Sequence, residues 1–221
     1  MTMHNITYNN KKYEIDDLGF LVNPDSWDED FAEGMAIGVR IPHQLTKEHH
    51  FVINFIRGYY RHYHKCPNVF ETCRGVGLGL TELRRLFPTG YLRGACKLAG
   101  ITYKDIPVGN QAIEEQTLEA RLTIGGDEYL VDYYGFLIDP GRWDEKFAEH
   151  TAAGSSIAGG GLTDEHWRVI NFLRQRYAEY KTVPLVYETC DVLKISLKDL
   201  ERLFPDGYHR GAVKIAGLRV R

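Results

Sequence analysis

The sequence has few cysteines, no long apolar run and no large excess of charge of one sign. Its four cysteines stand at irregular spacing among 221 residues, which favours a reducing, cytosolic environment over a secreted disulfide framework. No segment approaches the roughly 18 apolar residues of a membrane span. The formal net charge of −3 provides no overall basic field to attract nucleic acid. These absences predict a globular, cytoplasmic protein without a membrane-spanning segment.

Common catalytic signatures are also missing. The sequence contains no G-x-S-x-G nucleophile motif, no phosphate-binding loop and no H-E-x-x-H zinc motif. It is 43% hydrophobic and 26% charged, values typical of folded domains with a sizeable core. We therefore expect no cofactor and no classical enzyme active site, while the length allows one or two domains.

The most informative feature of the sequence is an internal repeat. Gly-Phe-Leu at residues 19–21 recurs at 135–137, and Arg-Leu-Phe-Pro at 85–88 recurs at 202–205. The repeating unit is about 100 residues long, which is the size of a domain rather than of a solenoid repeat. The sequence therefore predicts two homologous units in tandem.

The two units are predicted to be domains that span residues 1–102 and 118–221. Between them, residues 103–117 carry Pro107 and Gly109 among polar side chains. This composition is typical of a linker. The sequence does not indicate the oligomeric state.

Both units begin with the signal of a β-hairpin and continue with helical patterns. Alternating apolar and polar residues flank Asn9-Asn10 in the first unit and Gly125-Gly126 in the second, and such pairs favour tight turns. The fold class is therefore predicted to be mostly α, with one N-terminal β-hairpin per repeat and two tandem copies.

Helical patterns follow the hairpin in the first unit. A short helix carries Trp27 and Phe31 on its core face, and a longer helix begins at Thr46, a good N-cap. Further helices are predicted to begin at Thr81 and at Gly94, the first of them ending before a proline. The corresponding residues of the second unit are Trp143, Phe147, Thr163, Ser196 and Gly211.

The end of the first unit carries the most specific motif. Residues 84–100 read RRLFPTGYLRGACKLAG, which resembles the C-terminal motif of the sulfur-relay family that includes DsrC, DsvC and TusE. The resemblance extends over the hairpin, the tryptophan and the long helix of both units. It implies a DsrC-like helical domain in each unit and a role as a sulfur carrier or sulfur-relay accessory protein. The partners that it implies are a sulfurtransferase or a sulfite-reductase-like complex.

The cysteines match the family pattern only in part. Cys96 aligns with the inner cysteine of the family's Ala-Cys-Lys motif, so the resemblance implies that Cys96 accepts sulfane sulfur. The second family cysteine, on a C-terminal arm, would fall about where Pro107 stands. The second unit has Val213 at the inner position and reaches Arg221 without an arm cysteine. The two-cysteine chemistry of the family is therefore not expected to run in this chain as it does in the family.

The residues around Cys96 favour a thiolate. Arg93 and Lys97 are nearby cations, and a helix that starts at Gly94 would place Cys96 close to a helix N-terminus; both features stabilise thiolates. The alternative is a buried cysteine that packs as a small apolar residue, as Val213 does in the second unit. In that case the chain is a redox-inert adaptor or regulator that docks to sulfur-metabolism proteins.

Two residues of metal-binding type stand near the end of the long helix. His62 and Cys66 stand four residues apart, a spacing that places both on one helical face. The second unit has Glu179 and Val183 at these positions, so the fold does not need them. We therefore expect no metal site.

A helix-turn-helix is the third functional hypothesis. Residues 70–87 read as a helix, a glycine-rich turn and a second helix, which in nucleic-acid-binding proteins would present Arg84 and Arg85. Glu82 offsets part of this charge, and affinity for nucleic acid normally needs several phosphate contacts. Nucleic-acid binding is therefore a weaker alternative than protein docking.

Overall fold

A computed structural model of the chain describes residues 3–102, 120–132 and 134–220. The predicted linker, residues 103–117, lies outside the described residues. Within the described residues, no helix is both long and apolar enough to cross a membrane.

The chain divides into two compact units, Met1–Glu114 and Glu115–Arg221. The first opens with an antiparallel hairpin in which β1 (His4–Tyr8) pairs with β2 (Lys11–Ile15) around the predicted Asn9-Asn10 turn. Both asparagines have positive φ, as tight hairpin turns require. The second unit repeats the hairpin with β3 (Ala120–Ile124) and β4 (Asp127–Val131).

Four α-helices follow the hairpin in the described part of each unit. The first unit has α1 (Glu29–Ala36), α2 (Lys47–Tyr63), α3 (Val69–Val76) and α4 (Leu80–Leu86). The second unit has α5 (Glu145–Ala153), α6 (Asp164–Tyr180), α7 (Val186–Leu193) and α8 (Leu197–Leu203). A π-helical segment then follows, Tyr91–Cys96 in the first unit and Tyr208–Val213 in the second. The predicted fold class is confirmed.

The long helices begin at the predicted residues, and a buried histidine ties each start to a later helix. Thr46 is the N-cap of α2. The Nδ1 atom of His49 accepts the Thr46 backbone N–H at 3.1 Å, which leaves Nε2–H to donate to the Leu86 carbonyl at 3.0 Å. Burial lowers the pKa of His49, which favours this neutral form. The second unit repeats the contacts with Thr163, His166 and Leu203.

Trp27 lies before α1, whereas the sequence prediction placed it on the helix. Asp28 is the N-cap, and its Oδ1 atom accepts the Phe31 N–H at 3.0 Å and the Tyr13 hydroxyl at 2.6 Å. This cap keeps the backbone extended at Trp27 and connects the hairpin to the start of α1. The tryptophan side chain is then available to contact the end of the unit.

Two other predicted helix starts are wrong. Helix α4 begins immediately after Gly79, so Thr81 lies inside its first turn; in the second unit the predicted N-cap Ser196 does begin α8. The last helical segment begins after Gly90 rather than at Gly94, and the φ of 102° at Gly90 favours glycine. Gly94 allows close packing instead, because a Cβ atom there would lie 3.1 Å from Phe87 Cβ.

An arginine of the long helix holds the end of each unit in place. Arg57 is 8% exposed, and its guanidinium lies 4.1 Å from the centroid of the Trp27 ring. It donates to the carbonyls of Ala99 at 2.9 Å and Pro24 at 3.3 Å, while the Trp27 indole N–H donates to Leu98 at 2.7 Å. The second unit repeats this clamp with Arg174, Trp143, Ala216, Pro140 and Ile215.

We expect each unit to fold alone, because each contains its own hairpin, helices and buried core. Separately expressed halves, divided near Gly109, are each expected to unfold cooperatively in urea. A half that stays unfolded by itself would show that the two units share a core, and the predicted domains would then be wrong.

We expect Arg57→Met to lower the free energy of unfolding of the first unit by about 2 kcal/mol. Methionine keeps an apolar stem but leaves the Pro24 and Ala99 carbonyls without their donor. Urea denaturation of the first half measures the change. Arg61→Met, at an exposed position of the same helix, is the matched control and is expected to change it by less than about 0.5 kcal/mol. Equal effects of the two substitutions would contradict the clamp.

Candidate functional site: a buried cysteine pair

Cys96, the predicted sulfur acceptor, is the last residue of the π-helical segment and has 0% of its surface exposed. Because the segment starts after Gly90, Cys96 lies at its C-terminal end. The expectation that a helix N-terminus stabilises its thiolate was therefore wrong. Any stabilisation of a Cys96 thiolate must therefore come from other neighbouring groups.

The side chain of Cys66 places a second thiol in contact with Cys96. Cys66 lies in the loop between α2 and α3, is 1% exposed, and has its Sγ atom 3.6 Å from Cys96 Sγ. Its Sγ atom also contacts the Pro67 carbonyl oxygen at 3.4 Å. Neither thiol is in a disulfide. The fold thus brings together two cysteines that stand 30 residues apart in the sequence.

The second unit lacks both thiols. Val183 and Val213 stand at the positions of Cys66 and Cys96, and they are 3% and 0% exposed. The contact between Cys66 and Cys96 was not predicted from the sequence, where each replacement by valine stands alone. The joint change of two cysteines to two valines between the repeats is the sequence signal that could have revealed their contact.

A buried tyrosine borders the cysteine pair. The Tyr91 hydroxyl donates to the Pro67 carbonyl at 2.8 Å and lies 2.7 Å from Thr72 Oγ1. Burial raises the pKa of Tyr91 well above its ordinary value, and the neighbouring Cys96 and Cys66 act in the same direction, so the hydroxyl stays protonated at neutral pH. Tyr208, Thr189 and Pro184 form the same contacts in the second unit. The network is therefore part of the scaffold that encloses the pair.

Lys97, predicted to stabilise a Cys96 thiolate, packs against the segment that follows the hairpin. Its ammonium lies 5.3 Å from the centroid of the Phe20 ring, and burial lowers its pKa. The second unit repeats the contact between Lys214 and Phe136 at 5.7 Å, although it has no cysteine at this place. Lys97 therefore has a packing role that is independent of the thiol. The thiolate-stabilising roles of Lys97 and Arg93 stay predictions.

The remaining cysteines occupy equivalent positions in the two units. Cys73 in α3 and Cys190 in α7 are each 6% exposed. Burial raises the pKa of the Cys190 thiol to about 12, so it is protonated and unreactive at neutral pH.

A metal site near His62 and Cys66 would need further ligands. The described part of the chain contains no group of three or more His, Cys, Asp or Glu side chains that could hold a metal ion.

The helix-turn-helix hypothesis rests on α3, α4 and their glycine-containing turn. Arg85 of α4 is ion-paired with Glu48 of α2 at 2.6 Å, which offsets one of the two cations expected to face nucleic acid, Arg84 and Arg85. In the second unit Arg202 pairs with Glu165 at 3.0 Å. These arginines connect the start of the long helix to α4 in the first unit and to α8 in the second. Nucleic-acid contact stays the weaker prediction.

Comparisons with known proteins agree with the repeat. The family model described as DsrC like protein matches twice, over residues 7–105 and 123–220. The gamma subunit of the dissimilatory-type sulfite reductase of Nitratidesulfovibrio vulgaris is 33% identical over 99 residues, which cover 45% of this chain and 93% of that protein. The sulfurtransferase TusE homolog of Haemophilus influenzae is 38% identical over 104 residues, which cover 44% of this chain and 93% of that protein.

Solved structures match over a similar part of the chain. The crystal structure of the oxidized gamma subunit of the dissimilatory sulfite reductase, DsrC, from Archaeoglobus fulgidus is 30% identical. The match covers 46% of this chain and 96% of that chain, with a TM-score of 0.42. The two sequence relatives named above are each about as long as one unit. Because the two matches of the family model together cover most of the sequence, this chain belongs to the DsrC-like family and is a tandem fusion of two DsrC/TusE-like units.

Proposed function

We propose that this chain is a sulfur-relay accessory protein in which Cys96 accepts sulfane sulfur. One observation carries the proposal: Cys96, in the Ala-Cys-Lys motif, contacts a second thiol, and the second unit replaces both with valine. Since the repeated fold accommodates valine at both places, the two thiols of the first unit are not needed for packing. Because packing does not require the two thiols, their presence in the first unit favours a chemical role.

The partners that fit this role are proteins of sulfur metabolism. Among the relatives, one is named as a subunit of a sulfite reductase and another as a sulfurtransferase, and we extend partners of these kinds to this chain. Because Cys96 is fully buried, transfer from a protein donor requires local opening of the Tyr91–Cys96 segment. Such openings cost less free energy than global unfolding.

A redox-inert adaptor is the second candidate, and the burial of Cys96 favours it. Cys96 and Val213 are both 0% exposed, so Cys96 also fits its site as a small apolar residue. An adaptor would bind the same partner proteins without accepting sulfur. The two candidates therefore differ in covalent chemistry and not in docking.

We expect a persulfidated sulfurtransferase to transfer sulfur to Cys96. Mass spectrometry of the peptide at residues 94–97 should then show a gain of one sulfur atom, about 32 Da, because a thiolate accepts sulfane sulfur from a persulfide. Cys96→Val should abolish the gain and keep the fold, since Val213 fills the same place. Cys190→Ala is the matched control and should transfer as the unchanged chain does.

Two results would contradict this assignment. A sulfur found on Cys66 but not on Cys96 would support the relay function but show that Cys66 is the acceptor. If no cysteine gains sulfur and no new disulfide forms while the sulfurtransferase still binds, the adaptor replaces the carrier.

A further inference from the structure

The contact between Cys66 and Cys96 places two thiols close enough to react with each other. Their Sγ atoms are 3.6 Å apart, and both side chains are at most 1% exposed. A thiol held at this distance from another has only to approach by about 1.5 Å to reach the S–S bond length of about 2.05 Å. Cys66 lies in a loop, so a rotation of its side chain can occur without moving a helix.

We propose that Cys66 is the resolving thiol of Cys96: it attacks a persulfide on Cys96, forms a Cys66–Cys96 disulfide and releases hydrogen sulfide. This step rests on the proposed function, because it needs Cys96 to have accepted sulfur. Its consequence is that sulfur on Cys96 leaves as sulfide unless an acceptor protein takes it first.

The atoms and electrons of this step balance. The Cys66 thiolate attacks the Cys96 sulfur that is bonded to the terminal sulfur, and the terminal S–S bond breaks with its electron pair on the departing hydrosulfide. The proton lost by Cys66 converts the hydrosulfide to hydrogen sulfide. The two cysteine sulfurs are oxidised to the disulfide while the sulfane sulfur is reduced to sulfide. A dithiol reductant then has to restore the two thiols.

Burial favours Cys66 over a thiol from solution as the attacking group. The Cys96 sulfur has no exposed surface, whereas the Cys66 sulfur already touches it. The Tyr91 network that encloses the pair occurs in both units. What distinguishes the first unit at this place is therefore the cysteine pair itself. Val183 and Val213 supply substitutions that this scaffold already accommodates in its second copy.

The test treats the reduced full-length chain with sodium tetrasulfide, a small inorganic donor of sulfane sulfur. Samples are quenched in acid, alkylated while denatured, and digested with trypsin and a glutamate-specific protease. Cleavage after Lys65, Glu71 and Arg74 separates Cys66 from Cys73. We expect the unchanged chain to yield the peptide 66–71 disulfide-linked to the peptide 94–97.

Three variants assign the roles of the cysteines. Cys66→Val should retain a persulfide on Cys96, at a level about tenfold above that in the unchanged chain, and should form no linked peptide. Cys96→Val should form neither product. Cys73→Ala, which changes another buried cysteine of the same unit, is the matched control and should behave as the unchanged chain.

The possible failures are distinguishable. Equal Cys96 persulfide in the unchanged chain and in Cys66→Val, without a linked peptide, overturns the resolving role and leaves the proposed function intact. Persulfide that accumulates on Cys66 in Cys96→Val reverses the two roles and also overturns it. If neither a persulfide nor a linked peptide forms at Cys96 in any variant, the proposed function fails and this step fails with it.

Discussion

The stacked arginine and tryptophan in each unit determine where the end of that unit lies. The guanidinium groups of Arg57 and Arg174 lie over the rings of Trp27 and Trp143 at about the same distance. In each unit the guanidinium donates to a proline carbonyl that follows the hairpin and to an alanine carbonyl near the end of the unit. Burial lowers the pKa of Arg57 to about 10, so the guanidinium is still charged at neutral pH and its hydrogen bonds are charge-assisted. The Tyr91–Cys96 segment is held against the long helix by this contact.

The two units show which features belong to their shared scaffold and which differ between the copies. The clamp, the buried histidine, the tyrosine network and the lysine over a phenylalanine all recur. The cysteine pair does not recur, because valines replace it. A thiol and a valine side chain are similar in size and polarity, so the same core accommodates either pair. The two positions can therefore differ between the copies without loss of the fold.

Sequence patterns predicted the regular elements better than the places where they begin. The hairpins and the start of the long helix at Thr46 were right, because turn residues and an N-cap side chain act locally. The start of the last helical segment was wrong, since Gly90 and Gly94 are both glycines and only packing against Phe87 separates their roles. Trp27 was misplaced because Asp28 satisfies the first turn of α1.

The sequence by itself determined the duplication, the family and the cysteine that lies in the family motif, because these depend on the order of residues alone. The tertiary structure decided that Cys96 is buried, that Lys97 packs on Phe20, and that Cys66 lies within contact of Cys96. Two loops and two helices separate the cysteines, so no helical or strand period relates them. Their contact follows only from how α2 and the last helical segment pack together.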